Sequence, residues 1–234
     1  VSLEEQSTGE MSFGAGFSSS VGVLSDFAVR ERNLLGRGQD LLFKAQIAAE
    51  ASELELQFTE PHFLDRRLSG GVDLFRTSRD LQRESSFDRK STGFGLRLGY
   101  KLTERLGQRI RYAASREEVT NIKSDASSAI KEQAGTTTKS LIGQVLTYDD
   151  RDDRFSPTRG FYVRLTNDLA GLGGSTRYLR NRLEGTRYFP FGESLVASVG
   201  GGAGIIFGVG QDVRIIDSFF LGGKNLRGFT DFGA

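Results

Sequence analysis

The sequence predicts an all-β chain, and three observations predict it. Apolar and polar residues alternate with a period of two along nearly the whole length. Glycine, 30 of 234 residues, is almost twice as common as in ordinary proteins and shows no three-residue repeat of the collagen kind. No segment carries a 3.6-residue period, and the longest uncharged stretch, Ser194 to Gln211, is too glycine-rich for a membrane helix.

Eleven runs follow one another, at about 10–18, 21–32, 40–49, 52–59, 68–78, 91–101, 107–118, 138–149, 160–169, 176–188 and 195–210. In the third, Leu41, Phe43, Ala45, Ile47 and Ala49 oppose Lys44, Gln46 and Glu50. In the fourth, Leu54, Leu56 and Phe58 face away from Glu53, Glu55 and Gln57. The sixth sets Phe94, Leu96, Leu98 and Tyr100 against Gly93, Gly95, Arg97, Gly99 and Lys101. The seventh sets Ile110, Tyr112 and Ala114 against Arg109 and Arg111. In the ninth, Phe161, Val163 and Leu165 oppose Arg164, Thr166 and Asp168, and in the eleventh apolar residues alternate with Ser198, Gly200, Gly202 and Gly204.

Most of these runs approach the ten residues that a tilted strand needs to cross a bilayer. Their polar face is rich in Gly, Arg, Lys and Glu over many long strands, which suits the lumen of a wide barrel. The expected fold is therefore an antiparallel transmembrane β-barrel. A mean hydropathy of −0.33 fits, because a polar lumen face dilutes the hydropathy of a barrel. A soluble β-sandwich or lipocalin-like barrel also alternates, and solubility without detergent would mark it.

The connections sort into two sets. Asn33–Gln39, Glu60–Arg67, Thr103–Gly107, Asp150–Arg159 and Phe189–Ser194 read as turns and carry Phe63, Phe155, Phe189 and Phe191. The other set includes two long polar stretches, Arg79–Lys90 and Val119–Thr137. Short periplasmic turns, long outer loops and interfacial aromatics are the outer-membrane pattern, which places the N-terminus in the periplasm. Eleven is an odd number where bacterial barrels are even, and an open edge is not viable in lipid, so either the count of runs is out by one or strands are missing from this chain.

Charge and composition remove other classes. With 31 basic and 30 acidic residues there is no electrostatic footprint for nucleic acid. Zero cysteines exclude a disulfide scaffold and thiolate metal sites. His62, the single histidine, sits beside Pro61 in a turn, so no multi-histidine metal site or Ser–His pair can be built, and no cofactor or enzymatic activity is expected. Asp149, Asp150, Asp152 and Asp153 lack the EF-hand frame and lie among Arg151, Arg154 and Arg159, which reads as a salt-bridged turn. Gly171-Leu172-Gly173-Gly174 and Gly222-Gly223-Lys224-Asn225 do not make phosphate-binding loops.

The most specific feature is Phe220-Leu221-Gly222-Gly223-Lys224-Asn225-Leu226-Arg227-Gly228-Phe229, which follows a glycine-rich strand and a loop. Arg-Gly-Phe alone is weak, since it recurs at Arg159-Gly160-Phe161 as the exit from a turn. Other stretches accompany it in order: Thr8 to Phe17, Asn33-Leu34-Leu35-Gly36-Arg37-Gly38, Phe58-Thr59-Glu60-Pro61-His62-Phe63, and Tyr148-Asp149-Asp150-Arg151-Asp152 with Pro157 and Gly160. From end to end the series resembles the BamA family of outer-membrane β-barrel assembly factors, in the superfamily of barrel insertases and two-partner secretion transporters.

That resemblance implies eleven strands of an expected sixteen. It makes residues 1–9 the tail of the last periplasmic POTRA module or linker, residues 10–210 strands one to eleven, and residues 211–234 extracellular loop six. The chain then reads as a fragment of a longer protein of the bacterial outer membrane. Loop six would fold into the lumen with Leu226, Arg227, Gly228 and Phe229 at its tip and Gly222 and Gly223 before it. The gate strand would be Glu10, Met11, Ser12, Phe13, Gly14, Ala15, Gly16 and Phe17, which parts from the last strand and pairs with a client's terminal strand. Implied partners are nascent β-barrel clients, accessory assembly lipoproteins, periplasmic chaperones and the lipid bilayer. Rival readings are a TamA-like assembly factor, a two-partner secretion transporter, and a passive porin-type channel marked by large steady conductance.

Overall fold

The computed structural model describes residues 8–18, 22–83, 86–192 and 195–219. Eleven strands follow in chain order: β1 (Gly9–Ser18), β2 (Gly22–Leu34), β3 (Gln39–Ala48), β4 (Ala51–Glu60), β5 (Leu68–Leu81), β6 (Phe87–Lys101), β7 (Leu106–Thr120), β8 (Gly135–Asp149), β9 (Gly160–Ala170), β10 (Tyr178–Phe191) and β11 (Leu195–Gly208). Each pairs antiparallel with the next in one open sheet, β1 and β11 lying at its two edges. One helical turn, α1 (Ser128–Lys131), interrupts the pattern among the described residues, with two short 3₁₀ segments at Phe63–Asp65 and Ile215–Asp217. No described helix is long and apolar enough to cross a membrane.

Register carries the alternation from strand to strand. Phe13 lies opposite Phe27, Phe27 opposite Ala45, and Phe43 opposite Leu56, so one face is apolar across the sheet. On the other face charges meet across strands. Arg30 binds Asp40 at 2.6 Å, Arg97 binds Asp73 at 2.6 Å, and Arg89 binds Glu117 at 2.9 Å. The apolar face leaves Phe17 77%, Leu183 50% and Phe207 51% exposed. Apolar side chains so displayed need hydrocarbon as their solvent.

The fully buried core lies on the opposite, charged face. Leu81, Phe87 and Val119 cluster at the loop end with Ile122, Ile130 and Ile216 against them. Leu141, Ala170 and Tyr178 form a second cluster, with Ala113 and Ile206 packed on it. These clusters correct two boundaries. Arg79–Lys90 is mostly strand, because β5 continues to Leu81 and β6 begins at Phe87. Alternation in that polar stretch turns Leu81 and Phe87 inward, and Asp88 is held by Gln82 at 2.8 Å and Asn121 at 2.6 Å. Val119–Thr137 likewise shrinks to a loop between β7 and β8 that contains α1, whose Ser127 side chain accepts from the Ile130 N–H. Phe189 and Phe191, expected in a turn, are the last outward residues of β10.

Candidate functional site

The edge of β1 is the first element. Across the β1–β2 register the Arg32 N–H donates to the Thr8 carbonyl, and across β2–β3 the Ala49 N–H donates to the Val23 carbonyl. Antiparallel pairs alternate between bonded and non-bonded positions. Glu10, Ser12, Gly14 and Gly16 therefore turn their main-chain groups toward β2. Gly9, Met11, Phe13, Ala15 and Phe17 turn theirs toward the open edge, where no described strand meets them. The strand is clasped at one end, where Arg32 binds Glu10 at 3.0 Å and the Thr8 hydroxyl donates to Glu31. Toward the other end a Cβ at Gly14 or Gly16 would find only ordinary contacts, at 3.7 Å and 3.9 Å. Glu10 to Phe17 thus lie together as one exposed edge strand. Leu226, Arg227, Gly228, Phe229, Gly222 and Gly223 lie outside the described residues.

The second element is the segment after β11, which packs on the charged face. Lys139 of β8 pairs with Asp217, whose side chain is 0% exposed while that of Lys139 is 11% exposed. The Phe219 ring lies where a Cβ at Gly204 would stand, 2.6 Å from its nearest atom, so only glycine allows this approach. Beside Ser218 and Phe219 lies a cavity lined by Arg111, Arg164, Asp168, Arg180 and Arg182. Asp168 is 1% exposed and is gripped by Arg111 at 2.5 Å and Arg180 at 2.8 Å. Arg111 reaches it across β8 because Gly143 leaves room; a Cβ there would come 2.3 Å from Asp168. Sequence reasoning missed Lys139, Asp217 and Phe219. Their only signal was the lumen parity of Lys139 and Gly204, since the paired residues are 78 positions apart.

The turn between β8 and β9 is a third ordered feature. Arg151 grips Asp149 with two donors, at 2.8 and 2.9 Å, and Arg105 binds Asp150 at 3.0 Å. The Asp152 carboxylate accepts from the Thr158 hydroxyl at 2.5 Å and from the main-chain N–H groups of Arg159, Thr158 and Asp153. The Thr158 hydroxyl first, then these amides, hold its pKa well below the ordinary aspartate range. A folded value below the unfolded one means the stabilisation is complete above the ordinary aspartate range and is lost only as pH falls through the folded value. We expect the Thr158 and Arg159 amides to stay protected from hydrogen exchange at pH 4 as at pH 7. Loss of that protection near pH 4, or its persistence in Asp152→Ala, would contradict this account.

Strands of this length, with one lipid-compatible face and one ion-paired face, define the wall of a transmembrane β-barrel. Residues 33–234 match the Omp85 superfamily domain, and the chain belongs to that superfamily. It is 29% identical over 235 residues to a protein of Neorickettsia risticii named outer membrane protein assembly factor BamA, covering 100% of this chain and 32% of that protein. A protein of the same name from Nitratidesulfovibrio vulgaris is 28% identical over 98% of this chain and 29% of its own length. The chain thus spans about a third of the length of these relatives. Among solved structures, BamA from Haemophilus ducreyi lacking POTRA domains 1–3 superposes with a TM-score of 0.83 at 21% identity, covering 97% of this chain and 47% of that one.

Proposed function

We propose that this chain forms the first eleven strands of an outer-membrane barrel that folds and inserts client β-barrel proteins through a lateral gate at β1. The observation that supports the proposal is the hydrogen-bond phase of β1, whose main-chain groups at Gly9, Met11, Phe13, Ala15 and Phe17 point away from β2, to the side on which another strand, a client's included, can pair by β-augmentation. The two relatives named as assembly factors support the same reading. Function here is backbone templating without covalent chemistry: the edge lowers the barrier to placing a client's first hydrogen bonds in lipid, where an unpaired amide costs several kcal/mol.

On this reading the N-terminus faces the periplasm, residues 1–9 lead from a POTRA module, and accessory lipoproteins and chaperones deliver clients. Residues 211–234 are loop six. Its base is tethered by Asp217 and Phe219, and Arg227 seeks an acceptor on the inner wall, to which a guanidinium offers five fixed donors. The test is assembly of a urea-denatured client barrel into vesicles holding the natural full-length protein. Faster client folding than in protein-free vesicles is expected. Steady large conductance with no acceleration would favour the porin-type reading instead.

A further inference from the structure

On the apolar face a row of polar side chains crosses five neighbouring strands. The Tyr100 hydroxyl donates to Gln108 Oε1 at 2.7 Å, and Gln108 Nε2 donates to Gln144 Oε1 at 2.9 Å. Gln144 Nε2 then donates to Asn167 Oδ1 at 3.2 Å, and Asn167 Nδ2 to Asn181 Oδ1 at 2.5 Å. Register places this row on the outer wall. Gln144 opposes Asn167, which opposes Asn181; one step along, Ile142, Leu169 and Leu179 align, and on the other side Leu146, Leu165 and Leu183. Ile142 is 40%, Leu169 41% and Leu183 50% exposed, so the row runs between two lipid-facing aliphatic rows.

Because strands tilt, a row perpendicular to them climbs through the membrane. Tyr148 and Phe161 stack at 5.2 Å near the turn end, and Phe189 follows on β10 under Arg187. Gln144, Asn167 and Asn181 stand four, six and eight residues beyond these aromatics. At about 2.5 Å of rise per tilted residue, the row climbs from about 10 to about 20 Å within an apolar band of about 25 Å. Tyr100 and Gln108 begin it near the ends of β6 and β7.

The chemistry of the row is specific. It is neutral, since no charged residue stands among the aligned rows of β8, β9 and β10. A primary amide has two N–H donors. Gln144 and Asn167 each spend one within the row and Asn181 spends neither, leaving donors that face hydrocarbon, where unmet polarity is costly. The matching ligand has neutral-to-zwitterionic, acceptor-rich oxygens with aliphatic chains beside them: a glycerophospholipid. We propose that this amide row is a phospholipid head-group track on the outer wall, along which lipids move between leaflets, an activity separate from client assembly.

The natural full-length protein is reconstituted in phosphatidylcholine vesicles containing a trace of fluorescent phosphatidylcholine, and lipid reaching the outer leaflet is extracted with albumin, which is too large to enter the lumen. Extraction is expected to proceed past the outer-leaflet share. In the triple variant Gln144→Leu, Asn167→Leu, Asn181→Leu the exchange rate is expected to fall about ten-fold, equivalent to ~1.4 kcal/mol at the barrier. Client assembly stays unchanged, which shows that the variant is folded. Asn167→Gln keeps an amide in the row and keeps the exchange. Extraction that stops at the outer-leaflet share overturns the proposal, as does an equal rate in the triple variant. Loss of a co-purifying protein from the variant with exchange intact would make the row a protein interface and would also overturn it.

Discussion

Proline at Ala15 or Phe13 is expected to lower client assembly at least ten-fold while leaving the barrel's unfolding midpoint close to wild type. The reason is parity. Both residues turn their N–H to the open edge, so proline removes a templating donor without touching a β1–β2 bond. Gly14→Pro, one position away, removes an N–H directed at Asp26 on β2 and leaves its acceptor unmet, which should cost about 1–3 kcal/mol of stability. Parallel assembly and denaturant titrations check the contrast. If Ala15→Pro and Gly14→Pro lose stability equally, the assignment of the outward edge is wrong.

Lys139→Met is expected to release the segment that follows β11 from the charged face. It leaves the fully buried Asp217 carboxylate without its cation, a loss of about 3–5 kcal/mol for a broken buried pair. Removing both charges, as in Lys139→Met with Asp217→Leu, should cost far less, because no lone buried charge remains. Trypsin cleavage after Arg214, in the same segment, reads the release directly. Rapid cleavage in the single variant and restored protection in the double are expected. Equal protection in wild type and Lys139→Met would show that the ion pair does not hold the segment.

Much of this fold was legible because the side-chain period of two is written in every strand. Phe94, Leu96 and Leu98 against Arg97 and Gly95 fix a strand, its faces and its membrane setting at once. Strand ends near the loop side were less legible. Asp80, Asp88 and Arg89 look like loop residues until Leu81 and Phe87 are seen to bury against Val119 at the end of the neighbouring strand β7. Strand β1 was legible as a motif, yet which of its residues turn their main-chain groups away from β2 depends on hydrogen-bond phase, which only the paired register supplies. The Lys139–Asp217 tether and the amide row were invisible for the same reason. Gln144, Asn167 and Asn181 are unremarkable polar residues in sequence and become one feature only across three strands.

The most direct test of the account is disulfide cross-linking between single cysteines on β1, at Met11, Phe13, Ala15 and Phe17 in turn, and single cysteines along a client's terminal strand during assembly by the full-length protein. The account predicts one register: moving the β1 cysteine by two residues moves the strongest client partner by two. Cross-links that show no preferred register, or that form equally well from Leu183 on the outer face of β10, would contradict templating by the β1 edge.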